Sequence, residues 1–506
     1  MKNFRSERNS KNYSQEEKVF LFFGLLMLGS AFISVFYPLV SLIILSISIS
    51  FFLIHRFFLP VIIFLPAYFP FQIALNPSAD VDLASGRAII LLLTIVFFLK
   101  IISQKKPWLS LSHLSLAVIF FLVWSLLSFF SAEDNGRFIR KILVFLSIFP
   151  LFFIVVATLR KIAHWEKLFK YWVYSSFLVA ILGFGQFCLQ FFIGQDFFFK
   201  FWSKIIAPVL YGTNVGESVA SNPSWFVGIG GVDFLRAIGT FPDPHMLAFY
   251  LGMSLPLQFV FILLNKNKLL WLFFSISFCT LILTFSRGSY VGLTGIFVWL
   301  LVFIIKAKTD TTFALKIKKL EEKLRISRIL ALLLILTVLV SSITPFRERF
   351  TSIFDFNEGS NQGRLELWTE AISTVFYNPI LGIGLGNFSN FIRPESKYRE
   401  PIYAHNTYLD LATEIGLPGL LAWLLILFIA IKPIFPSQLN KVMPLLFTNR
   451  KLSGKQALPI WNLAVGLALL WFALHCIFET PIFSPQILPL FVFLIAFRNM
   501  FVATKN

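Results

Sequence analysis

KLLWLFFSISFCTLILTFSRGSYVGLTGIFVWLLVFIIK, residues 268–306, holds two apolar runs, 268–286 and 288–306, parted only by a short polar reversal around Thr284-Phe285-Ser286-Arg287. Each run approaches the roughly 20 residues a helix needs to cross a bilayer core. Neither alternates with period two, and both are far longer than the roughly 10 residues of a membrane barrel strand. Two apolar helices joined by almost no loop imply a chain that folds back and forth through a membrane.

The same pattern extends in both directions. Hydrophobic residues make up 57% of the 506 and charged residues 14%, more apolar surface than a soluble chain of this length can hide. Further apolar runs occupy 18–36, 38–54, 57–75, 87–103, 111–131, 138–158, 171–193, 244–264, 327–343, 416–434, 457–476 and 481–499. The early runs are the least regular, because Pro60, Pro66 and Pro70 interrupt one of them. The expectation is an all-α polytopic membrane protein, one integral membrane domain over residues 1–506, with about 12–14 transmembrane helices. The polar stretch from Met1 to Lys18 lacks a small-residue cleavage site after the first run, which therefore reads as a retained helix. Cys188, Cys279 and Cys476 all lie in apolar runs and have neither metal-ligand spacing nor a disulfide pattern.

Charge orients the spans. Basic clusters at Lys100–Lys106, Arg160–Lys170, Lys266/Lys268, Lys306–Arg328 and Lys441–Lys455 fall on one side, joined by the N-terminus and by Arg498/Lys505. The positive-inside rule makes that side cytoplasmic. The formal charge of +19 is accounted for by these loops, without nucleic acid as a partner. Residues 307–327 read as a basic amphipathic helix on the anionic inner leaflet. The opposite side carries two long loops, 194–243 and 344–415, the second a large helical one. In a bacterial inner membrane that side is the periplasm.

Candidate chemistry gathers on this outer side. His405 sits in Tyr403-Ala404-His405-Asn406-Thr407-Tyr408, just before a Gly416-Leu417-Pro418-Gly419 re-entry into the membrane. Its imidazole titrates near pH 6.5 and can take a proton; a loop histidine can equally serve a structural hydrogen bond. A helix from about 403 would set Asp410 and Glu414 apart as an i,i+4 pair. Arg287 occupies the tight reversal, where a charge is costly unless paired or hydrated. Guanidinium forks hold phosphate oxygens bidentately, so Arg287 and Arg236 suit a lipid pyrophosphate; snorkelling to the interface would also explain an arginine there. His245, in Pro242-Asp243-Pro244-His245, reads as a helix start. No His or Glu spacing suggests a metal: Asp80/Asp82 is a common loop pair, and Gly382-Ile383-Gly384-Leu385-Gly386 lacks a nucleotide-loop context and reads as a turn.

These segments resemble a known family. Arg236-Ala237-Ile238-Gly239-Thr240-Phe241, Thr284-Phe285-Ser286-Arg287-Gly288, Gly363-Arg364-Leu365-Glu366-Leu367-Trp368, Asn378 through Phe388, Ala404-His405-Asn406-Thr407-Tyr408-Leu409 and Glu414 through Leu420 are similar, in order and topology, to the O-antigen ligase and O-antigen polymerase superfamily. The resemblance covers roughly 230–425. It implies a GT-C-type glycosyltransferase that needs no metal or other cofactor. The donor would be a glycan on undecaprenyl pyrophosphate, and the acceptor lipid A-core or a second lipid-linked glycan. By resemblance Arg236 and Arg287 would hold the pyrophosphate and His405 would be the general base of an inverting transfer. Arg364, Tyr403, Asn406, Tyr408 and His245 would be candidate substrate contacts; Arg364 could instead pair with Glu366 or Glu370. Asp243-Pro244-His245 stands where many members have Asn-Pro-Asn, a departure at the acceptor side.

Ligase and polymerase use the same donor and the same outer-face chemistry, and the sequence does not separate them. A transporter is the reading from another class. Coupled transporters carry ionisable residues near mid-membrane, whereas here polar groups gather at one face.

Overall fold

The computed structural model describes residues 38–78, 81–104, 112–221, 224–229, 231–265, 267–309, 359–393, 403–432, 452 and 454–502. It is a helical, polytopic protein. Among the described residues seven helices are long and apolar enough to cross a membrane, or eight counting one bent pair; Leu269–Leu283, Arg287–Val302 and Leu488–Phe501 are shorter apolar helices. The expected spans 18–36 and 327–343 and the basic helix beyond residue 309 lie outside the described residues.

The first half builds an outer wall. Helices α1 (Pro38–Arg56) and α2 (Phe58–Tyr68) were expected as two crossings, but they form one pair bent by 106°. Pro60 supplies a cause: in a continuous helix its ring would clash with the carbonyl four residues back, at Arg56. A β1–β2 hairpin (Ala74–Ser78, Val81–Ala84) leads into α3 (Ser85–Gln104) and α4 (His113–Leu127). Helices α5 (Asn135–Ile148) and α6 (Pro150–Thr158) meet at Phe149 and form one span, with Asp134 capping α5 through the Arg137 N–H.

Helix α7 (Ile162–Ile193) has 32 residues, about 48 Å at 1.5 Å per residue, so it outreaches the hydrocarbon core. Beyond it the expected first outer loop holds short helices α8 (Gln195–Phe201), α9 (Ala207–Tyr211) and α10 (Thr213–Ser221), then a β3–β4 hairpin (Phe226–Ile229, Val232–Leu235). The two hairpins are additions to an otherwise helical chain. The Asp82 carboxylate accepts from the Val215 N–H at 3.1 Å and Asn214 Nδ2 at 3.3 Å, holding the start of α10.

Helix α11 (Pro244–Asn265) is enclosed on most of its surface. It packs against α7, α12 (Leu269–Leu283), α13 (Arg287–Thr309) and α17 (Leu458–His475). Small and hydroxyl residues allow close approach. Trp172 Nε1 donates to Ser254 at 3.0 Å, and Gln258 to Ser176 and Ser277. Dispersion packing and such interhelical bonds hold helices together where lipid is as apolar as the core. The remaining described elements are α14 (Gly359–Tyr377), α15 (Phe388–Ile392), α16 (Thr407–Ile431) and α18 (Leu488–Val502). Residues 481–487, expected in the last span, instead form a short turn of helix at Pro481–Phe483 and a loop.

Helix α16 begins at Thr407, not near 403, because Asn406 caps it by accepting from the N–H groups of Tyr408 and Leu409. It breaks at Gly416, whose φ of 73° lies in the left-handed region. A Cβ there would stand 2.0 Å from the Ile380 carbonyl oxygen, so only glycine lets the 378–381 turn sit on the break. Leu417 N–H then donates to the Pro379 carbonyl at 2.8 Å.

Candidate active site

Four chain segments meet at one end of the bundle, and a carboxylate joins them. Glu479 follows α17 in Cys476-Ile477-Phe478-Glu479-Thr480. Its Oε2 lies 3.0 Å from His405 Nδ1, and its Oε1 lies 2.9 Å from an Arg364 guanidinium nitrogen and 3.5 Å from His245 Nε2. Its backbone carbonyl accepts from Thr407 Oγ1 at 2.8 Å. Glu479 is buried, whereas the His405 side chain is 44% exposed. A neutral His405 therefore donates Nδ1–H to the carboxylate and keeps its Nε2 lone pair as an acceptor, which is how a carboxylate fixes a histidine tautomer for proton abstraction.

Backbone and bonds lock this arrangement. His405 has φ +50°, in the left-handed region that is uncommon for a side chain of this size. The carboxylate of Asp410, buried in the first turn of α16, accepts from the Ala404 N–H at 2.8 Å and from the Thr480 hydroxyl. One carboxylate thus ties down the residue before His405 and the residue after Glu479. Thr407 N–H donates to the Cys476 carbonyl at 2.8 Å. On α14, Trp368 Nε1 donates to the Ala404 carbonyl at 2.8 Å.

Charge sets the protonation of the pair. Glu479 beside His405 raises the imidazole's affinity for a proton above its ordinary value, against burial and the Arg364 charge, which lower it. Burial pushes the Glu479 carboxyl up, but His245, His405 and Arg364 overcome it and hold the group well below the usual carboxylate range. The raised histidine stabilises the fold at low pH and loses that contribution as pH rises through its folded value. The lowered carboxylate contributes above its ordinary pKa and loses that as pH falls. The pair therefore supports the fold most fully between the ordinary values, about 4.3 for Glu and 6.5 for His.

A second arm runs inward from Glu479. His245 stands in the first turn of α11, as its Pro-Asp-Pro-His setting implies, with Asp243 Oδ1 accepting from the N–H groups of His245 (2.7 Å) and Met246 (2.9 Å). Burial pushes the Asp243 carboxyl up to about 6 despite these bonds. His245 Nδ1 is 2.9 Å from Ser286 Oγ, which lies 3.2 Å from His475 Nε2. His475 stacks on Phe249, ring centroids 3.8 Å apart. Gly288 makes room for it, since a Cβ there would approach the imidazole to 2.1 Å.

The arginines are placed by backbone. Arg236 leaves β4 and is buried; its Nε donates to the Thr284 carbonyl at 2.7 Å, one terminal nitrogen to the Ser224 carbonyl at 2.9 Å, and the other lies 3.5 Å from His245 Nε2. Gln190 of α7 pins the end of the strand by paired bonds to Leu235, and Gln186 pins the segment after Arg236 by paired bonds to Gly239. Arg287 is the first residue of α13, buried next to Ser286. The tight reversal at 284–286 is present, with Phe285 at φ +48°.

Glu479 thus brings Arg236, His245, Arg364 and His405 into one network, and Arg287 adjoins it through Ser286. Other expected contacts have structural work. Asn406 caps α16, and Tyr408 hydroxyl donates to the Ala473 carbonyl at 2.7 Å. Tyr403 hydroxyl bonds Lys141, whose ammonium lies 3.8 Å from the Phe483 ring centroid. Arg364 pairs with Glu479 rather than with Glu366 or Glu370. Asp410 and Glu414, expected as an i,i+4 pair, are both buried and bond to different partners. Glu414 is buried and accepts from the Gly386 and Phe388 N–H groups, and the Gly382–Gly386 run folds as turns.

Sequence reading missed Glu479, His475 and Lys141. A signal for the first existed: it is the one carboxylate between the apolar runs 457–476 and 481–499, on the outer side by the same charge rule.

Residues 272–424 match the family described as O-Antigen ligase (Wzy_C). The match begins in α12 and ends in α16, so it includes Arg287, Arg364 and His405 but neither Arg236 nor Glu479. No curated protein matches the chain.

Proposed function

We propose that this protein is an inverting, metal-independent glycosyltransferase of the bacterial inner membrane, acting at its periplasmic face. It would move a glycan from undecaprenyl pyrophosphate to a hydroxyl of lipid A-core. The observation that carries this reading is the half-exposed His405 held at Nδ1 by a buried Glu479, in a polar network that also includes Arg364, His245 and Arg236. The match of residues 272–424 to the O-antigen ligase family supports the same reaction class.

In this mechanism His405 Nε2 takes the proton of the acceptor hydroxyl as its oxygen attacks the anomeric carbon. The bond from that carbon to the pyrophosphate oxygen breaks on the opposite face, which inverts the centre. The electron pair leaves with the pyrophosphate, and Arg287 and Arg236 stabilise its growing charge. Glu479 stabilises the imidazolium that forms. Arg236 already donates to backbone carbonyls through two of its nitrogens, so it would meet the phosphate through its remaining terminal nitrogen, beside His245. Both termini would be cytoplasmic, following the charge asymmetry of the loops.

The test uses purified protein in vesicles, lipid-linked glycan repeat units, lipid A-core and EDTA, with products resolved on a gel. Glycan on lipid A-core is the expected product. A ladder of longer lipid-linked glycans without added acceptor would replace ligase by polymerase. Neither product with several donors, together with solute uptake by the same vesicles, would overturn the transferase reading in favour of a transporter.

A further inference from the structure

Helix α14 carries the site on one side and an unusual surface on the other. Its inward face supplies Arg364 to Glu479 and Trp368 to the Ala404 carbonyl. Its outward face changes character along the axis. Toward the N-terminus the exposed positions are Gln362, Glu366, Thr369 and Glu370, with Leu365 (40% exposed) the one apolar side chain among them. Toward the C-terminus large apolar and aromatic side chains dominate, Ile372 (59% exposed), Phe376 (81%) and Tyr377 (78%), with Ser373 between them and Pro379 and Ile380 (64%) in the turn. A helix lying flat on a membrane would show polar and apolar stripes side by side along its whole length. Here the polarity is divided end to end.

The apolar end is continuous with the exposed apolar side of α16. The Ile380 carbonyl lies against the break at Gly416, and the Pro379 carbonyl accepts from Leu417 N–H. Leu417, Leu421, Leu424, Leu425 and Phe428 follow down the exposed side of α16. On the other flank Ser131 Oγ lies 3.4 Å from the Leu381 carbonyl, next to Phe130 (78% exposed) in the short helical turn Ser128–Ser131 after α4. The patch thus continues the exposed apolar surface of α16.

We infer that the C-terminal half of α14 and the turn to Ile380 are immersed in the bilayer leaflet at the site's end of the bundle, with the helix inclined so that Glu366 and Glu370 remain in water. The occupant of this face is lipid acyl chain. From Glu366 to Phe376 the helix climbs about 15 Å, enough to pass from water through the headgroup layer. The inclination seats Arg364 and Trp368 against the site from a helix anchored in the membrane. This holds whichever reaction the site performs.

The experiment needs no substitution. Wild-type protein is reconstituted in phosphatidylethanolamine–phosphatidylglycerol vesicles that contain a photoactivatable, carbene-generating apolar reagent, and labelled residues are mapped by mass spectrometry. Label is expected on 372–380 at a level comparable to 421–428 of α16, and at least tenfold less on 362–370. Strong label on 421–428 with none on 372–380 would overturn the inference. Protection of 372–380 that disappears when the protein is diluted in lipid would assign the face to a second copy of the chain and overturn it equally. In a second measurement, nitroxides at Glu370→Cys and Phe376→Cys, in a chain with Cys188, Cys279 and Cys476 replaced, should favour a water-soluble nickel chelate and oxygen respectively as relaxants. Equal access of the chelate to both would contradict the inclination.

Discussion

Two polar clusters flank the start of α16, built from similar residue types but differing in access. On one side Glu479 gathers His405, His245 and Arg364, and the His405 ring remains 44% exposed. On the other, Lys141, Arg137, Asp410 and Glu414 are all buried. There Lys141 bonds the Tyr403 hydroxyl, Arg137 donates to Ser389 at 2.5 Å, and Glu414 is met by backbone N–H groups. The first cluster leaves a titratable nitrogen open at its edge; the second is sealed by Phe483 and the Gly382–Gly386 turns. Composition alone would not distinguish them. What separates the two is access: the His405 ring is 44% exposed, whereas the titratable side chains of the other cluster are buried.

That contrast can be broken by substitution, with effects of decreasing size. His405→Ala should reduce transfer by about 10²–10⁴, the usual span for loss of a general base, while detergent-solubilised protein keeps its melting temperature; comparable transfer in a well-folded variant would remove His405 as base. Lys141→Met should act in the opposite way. Removing one charge from a buried network costs about 3–5 kcal/mol, so the melting midpoint should fall clearly, while the pH dependence of the remaining transfer keeps its shape. A shifted acid limb would show that the sealed cluster titrates with the open one.

Arg364→Ala gives a smaller, signed effect. The Arg364 charge lowers the proton affinity of His405, so its removal should move the acid limb of the rate profile to higher pH. A shift to lower pH would mean that Arg364 acts chiefly by fixing the Glu479 position. Asn406→Ala removes the α16 cap and should cost about 1 kcal/mol of stability in a chemical denaturation series, with little change in the pH profile.

Much of this was legible in the chain. Apolar run length gave a helical membrane protein, Pro-Asp-Pro-His gave the start of α11, and Thr284–Arg287 gave a tight reversal. The resemblance singled out Arg236, Arg364 and His405, which the fold does bring together. The hub itself was not legible, because Glu479 lies 74 positions beyond His405 and no local periodicity connects the two. The length of α7, the bend between α1 and α2 and the two β-hairpins also depend on tertiary packing. Helical spacing of apolar and polar residues puts the start of α16 near 403; the cap chemistry of Asn406 and the positive φ of His405 set the boundary later.

The pairing of His405 with Glu479 is tested most directly by the pH dependence of single-turnover transfer for wild type and Glu479→Gln in the same vesicles. The carboxylate raises His405 above its ordinary value near 6.5, and a base works only when deprotonated. The wild-type rate should therefore climb with pH through a midpoint above 6.5. The variant, with that charge gone and burial still opposing the imidazolium, should show a lower maximal rate and a midpoint displaced to lower pH. An acid limb at the same pH in both proteins would contradict the account, since the titrating base would then not be a histidine in contact with Glu479.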